Sequence, residues 1–166
     1  MSRLIATVFG VGYLRPAPGT WGSLAALPLF YGLHLLGGIV ATLIGVIVVG
    51  GVGYWATKQM TQGSDNHDPS EIVIDEVLGQ WIALLPISYG AVFAGADILA
   101  LWPGWVVGFA AFRLFDIWKP WLVGRADRRN DAVGVMLDDA FAGVFAAIVV
   151  FIAAALYHIP LIMAAQ

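Results

Sequence analysis

The 166-residue chain has no cysteine, which excludes disulfides, thiolate nucleophiles and Cys-ligated metals together. Charge is scarce as well. Asp, Glu, Lys and Arg make up 11% of the chain, against roughly 25% in an ordinary soluble domain. With 60% of residues hydrophobic, there is too little polar surface to cover a water-soluble globule. There is no basic surplus either, and a net charge of −3 gives nucleic acid nothing to hold. The N-terminus lacks a signal-peptide pattern. A single basic residue, Arg3, precedes a modest apolar stretch to Leu14, and Pro16 and Pro18 stand where a cleavage site would be. No linker, repeat or low-complexity segment divides the chain. These exclusions leave a single membrane-embedded domain over residues 1–166, built of helices: a polytopic all-α bundle in the lipid bilayer.

The gaps between charges locate the spans. No Asp, Glu, Lys or Arg lies between Arg15 and Lys58. That length suits two crossings, Ser23–Leu36 and Ile39–Trp55, turning at Gly37-Gly38. The first is short for a hydrocarbon core of about 30 Å, which predicts a re-entrant segment or one shielded by its neighbours. Val77–Ala96, Ile98–Phe112 and Ala140–Tyr157 complete a set of about five spans. Five crossings place the N-terminal segment, Lys58–Glu76 and Arg113–Asp139 on one side, and all eight Lys and Arg residues fall in or beside them. The positive-inside rule makes that face cytoplasmic in a multi-pass protein. Trp21, Trp55, Trp118 and Trp121 then belong to the cytoplasmic interface, and Trp102 and Trp105 to the opposite one.

Ten of the eleven acidic residues share the cytoplasmic face, which orientation alone does not require. Asp68-Pro69-Ser70-Glu71 reads as a capping box that starts a helix running through Asp75-Glu76 into the third span. Capping accounts for Asp68 and Glu71 about as well as a functional role does. Asp75 and Glu76 lie past the cap, where a charge entering an apolar span costs roughly 2.5–3.5 kcal/mol unless compensated. Asp138-Asp139 precedes the last span in the same way, and anion placement at a helix start explains one acid better than two. Two acidic pairs on one face, with no Cys and no paired His, form an oxygen-ligand site suited to Mg²⁺ rather than Zn²⁺. Arg113 and Asp116 are spaced for a salt bridge on a helix, with Lys119 just before the helix-stopping Pro120. Arg125 and Arg129 suit headgroup contact. The Pro18-Gly19 turn followed by Thr20 and Ser23 can present backbone N–H groups to an anion, or be a plain turn and cap. His67 is the lone histidine of the acidic face; with Asp68 it is a candidate acid or base.

Three segments carry a family resemblance. The first is Gly10-x-Gly12 through Ala17-Pro18-Gly19-Thr20-x-Gly22-Ser23. The second is His67-Asp68 with Ile72-Val73-x-Asp75-Glu76-x-x-Gly79. The third is Phe112-Arg113-x-x-Asp116-x-x-Lys119-Pro120-Trp121, followed by Asp127-Arg128 and Gly134-x-Met136-x-Asp138-Asp139-x-x-Ala142-Gly143. In this order they resemble the phosphatidylglycerophosphatase A family over nearly the whole chain. The chain departs from the family's pattern at Leu122, where a proline is usual, and at Ala132-Val133, where paired glycines are common.

The resemblance implies a Mg²⁺-dependent enzyme that removes the terminal phosphate of the membrane lipid phosphatidylglycerophosphate. Asp75, Glu76, Asp138 and Asp139 would then hold Mg²⁺, with Glu71 a further candidate. Arg113, Lys119 and Arg128 would neutralise phosphate oxygens, with Thr20 and Ser23 beside them. Asp75, Asp116 and Asp139 are the candidate catalytic carboxylates. Two other classes compete. A CDP-alcohol phosphatidyltransferase needs further acids at fixed spacing after Asp138-Asp139, and none follows. A non-catalytic carrier needs charge distributed through the spans, whereas here it crowds one face.

Overall fold

The computed structural model describes residues 1–63 and 69–164, with side chains through Tyr157. The helices are α1 (Ser2–Ala6), α2 (Pro18–Thr61), α3 (Ile74–Ala94), α4 (Trp102–Trp118), α5 (Leu122–Asp127) and α6 (Ala132–Ala164). Short 3-10 turns at Val11–Tyr13 and Ile98–Leu101 join them, and no strand occurs among the described residues.

The 44 residues of α2 are two helices joined by a reversal. Gly37 and Gly38 leave the helical region, and Gly38 takes φ +56° with ψ −139°, a conformation open to glycine. Leu33 reaches within 2.5 Å of where a Cβ on Gly45 would sit. A straight helix would hold those positions about 18 Å apart. The arms 18–36 and 39–61 therefore run antiparallel. The first arm begins at Pro18, five residues earlier than the charge pattern predicts, because proline fits a first helical turn. At about 1.5 Å per residue it is roughly 28 Å long, enough to cross with no re-entrant geometry.

Four helices are long and apolar enough to cross a membrane: Pro18–Thr61, Ile74–Ala94, Ile98–Trp118 and Ala132–Tyr157. With the first doubled, about five segments have the length and composition to cross. α3 is the central one. More than half of its apolar window is buried (56%), whereas the other three turn mostly outward to lipid. Glycines let its neighbours come close. A side chain at Gly104 or Gly108 would press on Ile87 or Leu84, and one at Gly143 would strike the backbone of Gly79. Against the first arm of α2, Trp81 packs on Phe30 and donates to the Ala26 carbonyl at 2.9 Å. Trp105, expected at the far interface, turns inward edge-on to Phe30.

Two helix starts differ from the sequence reading. α3 begins at Ile74 rather than near Pro69. Ile72 and Val73 are buried, and the Val73 N–H donates to the Ala6 carbonyl at 2.9 Å, so this β-branched pair is held beneath α1 instead of in a helix. Asp75 and Glu76 thus occupy the first turn of α3, and Glu71 does not share their face. α6 begins at Ala132 rather than Ala140. Asp131 caps it, accepting from the Gly134 N–H at 2.6 Å, so Asp138 and Asp139 lie in the second turn and are not helix-start anions.

Candidate active site

The start of α2, the start of α3, the end of α4 and the second turn of α6 meet at one end of the bundle. Between them is a cavity of about 260 Å³, lined by Ala17, Pro18, Gly19, Ser70, Ile72, Asp75, Glu76, Arg113, Asp116, Lys119, Asp138 and Asp139. The helix geometry explains the convergence. Asp75 and Glu76 are carried inward because the first turn of α3 is already buried. Asp138 and Asp139 follow from the close α3–α6 crossing, where a Cβ on Gly79 would come within 2.5 Å of the Asp139 carbonyl. α4 delivers Arg113 and Asp116 one turn apart, and Pro120 ends the helix immediately after them.

Asp75, Glu76 and Asp139 each place a carboxylate oxygen within 4.8 Å of the others, a spacing that one small cation can span. Glu76 Oε2 and Asp139 Oδ2 are buried without hydrogen-bond partners. Asp116, Asp75 and Asp138 all lie near enough to act on the Asp139 carboxylate. Leaving such groups uncompensated is costly, so hard oxygen donors, their number and their unpaired atoms all fit Mg²⁺.

The cations are held in place by the same residues. Arg113 Nη1 pairs with Asp116 at 2.6 Å and donates to Ser23 Oγ at 3.4 Å. Ser23 is fully buried and itself donates to the Gly19 carbonyl at 2.8 Å, so it ties Arg113 to α2. Gly19 leaves room for the site, because a Cβ there would displace the Glu76 carboxylate and crowd Arg113. Lys119 caps α4 in the left-handed region, φ +50°, which turns its side chain back toward α6. Its ammonium pairs with Asp127 and, at 3.0 Å, with Asp138. Burial alone would lower the Lys119 pKa; the two ion pairs outweigh it and raise the pKa above the ordinary lysine value.

The cavity thus gathers Asp75, Glu76, Asp138, Asp139, Asp116, Arg113 and Lys119. Ser23 stands behind Arg113. Thr20 is one residue beyond the lining, Arg128 is exposed outside it, and Glu71 turns its carbonyl to Gly12. His67 and Asp68 lie outside the described residues. The sequence reading did not place Ser70, which lines the mouth and accepts from Arg15 at 3.3 Å. Nor did it place Asp127, whose pairing with Lys119 depends on the path of the chain beyond Pro120.

A model of the family described as phosphatidylglycerophosphatase A matches residues 4–154. A protein of Bacteroides thetaiotaomicron, provisionally named a phosphatidylinositol-3-phosphatase, is 36% identical over 155 residues, covering 90% of this chain and 91% of the relative. A phosphatidylglycerophosphatase A of Haemophilus influenzae is 36% identical over 90% of this chain and 86% of its own length. One of Escherichia coli is 33% identical over 96% of this chain and 86% of its own length. No solved structure matches the chain. All three segments singled out in the sequence fall inside the matched span, and Asp75, Glu76, Arg113, Asp116, Lys119, Asp138 and Asp139 from them line one membrane-end cavity: the chain belongs to the phosphatidylglycerophosphatase A family and is a membrane-embedded phosphatase.

Proposed function

We propose that the protein hydrolyses phosphatidylglycerophosphate to phosphatidylglycerol and inorganic phosphate, with Mg²⁺, at the cytoplasmic face of a bacterial inner membrane. The observation that carries this reading is the charge of the cavity. Five carboxylates face two cations, an excess of three negative charges in a site that must admit a phosphate. Such a site repels its substrate until a divalent cation enters. Asp75, Glu76 and Asp139 would hold that cation, with Asp138 beside them. When bound, Mg²⁺ would supply positive charge to the phosphate and lower the pKa of a water molecule.

The chain's own groups do the rest. Arg113 and Lys119 neutralise phosphate oxygens as charge develops. Asp116 and Ser23 fix the Arg113 guanidinium, and Asp127 and Asp138 fix the Lys119 ammonium. Asp139 lines the cavity, and its outer oxygen would take the proton of the attacking water. Water then forms the new P–O bond, the bond to the glycerol oxygen breaks, and that oxygen is reprotonated. The acyl chains stay in the bilayer beside the outward-facing helices. Orientation rests on the positive-inside rule, since all eight Lys and Arg residues belong to segments at the cavity end.

The test is phosphate release by purified protein from phosphatidylglycerophosphate and, separately, from phosphatidylinositol 3-phosphate. Both carry a phosphomonoester on a lipid phosphodiester headgroup. Release from the first, abolished by EDTA and by Asp75→Asn, is expected. Release from the second alone would reassign the headgroup, and metal-independent release would remove Mg²⁺ from the reading.

A further inference from the structure

Gln80 is fully buried, and neither its amide oxygen nor its amide nitrogen has a hydrogen-bond partner. An unpaired primary amide is costly at this depth, where the neighbouring positions Val77, Ala83 and Leu84 are apolar and buried. Its place in α3 gives it a use. It follows Glu76 by four residues and shares its helix face. Side chains on a helix lean toward the N-terminus, over the residue one turn earlier, so Gln80 reaches toward Glu76 from the bilayer side. Further along the same face, Leu84 and Ile87 meet Gly108 and Gly104 of α4. One turn up α4 from these contacts come Phe112 and Arg113.

The unpartnered atoms of the site complement this amide. Glu76 Oε2 and Asp139 Oδ2 are buried acceptors, and Arg113 Nε is a buried donor. A glutamine amide offers two N–H donors and one carbonyl acceptor. Its two donors match the two carboxylate oxygens, and its acceptor matches the guanidinium N–H.

We propose that Gln80 is a positioning residue for the metal-binding carboxylates. Its amide closes the hydrogen bonding of Glu76, Asp139 and Arg113 from beneath across one enclosed water, since no direct bond joins these atoms. This fixes the rotamers of both carboxylates and leaves their outer oxygens facing the cavity. The inference rests on the Mg²⁺ reading above. Groups that orient ligands in this way typically contribute about 10–100-fold to metal affinity.

The experiment is a thermal-unfolding titration with Mg²⁺, repeated with Mn²⁺, on the full chain in detergent. It compares the wild type with Gln80→Leu and Gln80→Met. Without metal, both variants should fold but melt below the wild type, because the amide that satisfies the buried atoms of Glu76, Asp139 and Arg113 has been removed. The metal concentration at half-maximal stabilisation should rise about 10–100-fold. Wild-type protein that responds to metal while the variants titrate identically overturns the inference alone. Variants that both fail to fold also overturn it, since the amide is then part of the fold. Wild-type protein that gains nothing from either metal refutes the Mg²⁺ reading and this inference with it.

Discussion

Gly143→Ala tests whether the site is set by the α3–α6 crossing. A Cβ on Gly143 would stand 3.0 Å from the carbonyl carbon and the Cα of Gly79, and closer still to the Gly79 oxygen. Carbon atoms rest at about 3.5–4.0 Å, so the helices must part by at least about half an ångström, and by more to relieve the oxygen. Overpacking of this kind typically costs about 1–3 kcal/mol. The larger effect should be on chemistry. Asp139 is one turn from Gly143 on the same face of α6, and Glu76 is one turn from Gly79 on α3. Separating the helices therefore pulls apart ligand atoms that now lie within 4.8 Å of one another. A displacement near 1 Å can reduce the rate by about 10²-fold. The assay is the initial rate of phosphate release together with the melting temperature. Gly51→Ala is the control, because nothing lies within 4 Å of that position. It should keep full activity and gain up to about 1 kcal/mol from the better helix former. A Gly143→Ala protein with wild-type rate and melting temperature would refute the coupling of crossing to site.

Lys119 separates charge from backbone. Lys119→Gly suits the left-handed geometry and should lose phosphate release with little loss of stability, whereas Lys119→Ala should lose the same activity and a further ~1–2 kcal/mol of stability. Equal melting temperatures for the two would show that the cap is not strained. Asp131→Ala removes the α6 cap outside the cavity. It should cost about 1 kcal/mol in denaturant unfolding while phosphate release persists. The hydrogen bond from Arg129 and those from the helix backbone hold the Asp131 pKa below its ordinary value. Its contribution is therefore complete above the unfolded pKa, about 3.9, and is lost as pH falls through the lower folded value. The variant and wild type should converge in stability at strongly acid pH.

The spans were legible because charge is so costly in hydrocarbon that its absence marks them, and Gly37-Gly38 marked the one reversal within a charge-free run. The helix starts were less so. Pro69 looked like a first-turn proline, but the energy that sets the start of α3 is tertiary: Ile72 and Val73 bury under α1, with the Val73 N–H spent on Ala6. Asp138 and Asp139 looked like helix-start anions because the charge-free run begins after them. The helix in fact starts six residues earlier, at a cap that only the geometry of Asp131 reveals. The shift of α6 strengthens the chemical reading of Asp138 and Asp139, which have lost their local structural explanation. Asp75 and Glu76 move into a first turn instead, and their reading rests on converging with Asp138 and Asp139 on one cavity. Gln80 shows the limit of pattern reading from the other side. In the sequence it is a single polar residue in a span, and only the unpaired atoms around it, contributed by α3, α4 and α6, turn it into a question about the site.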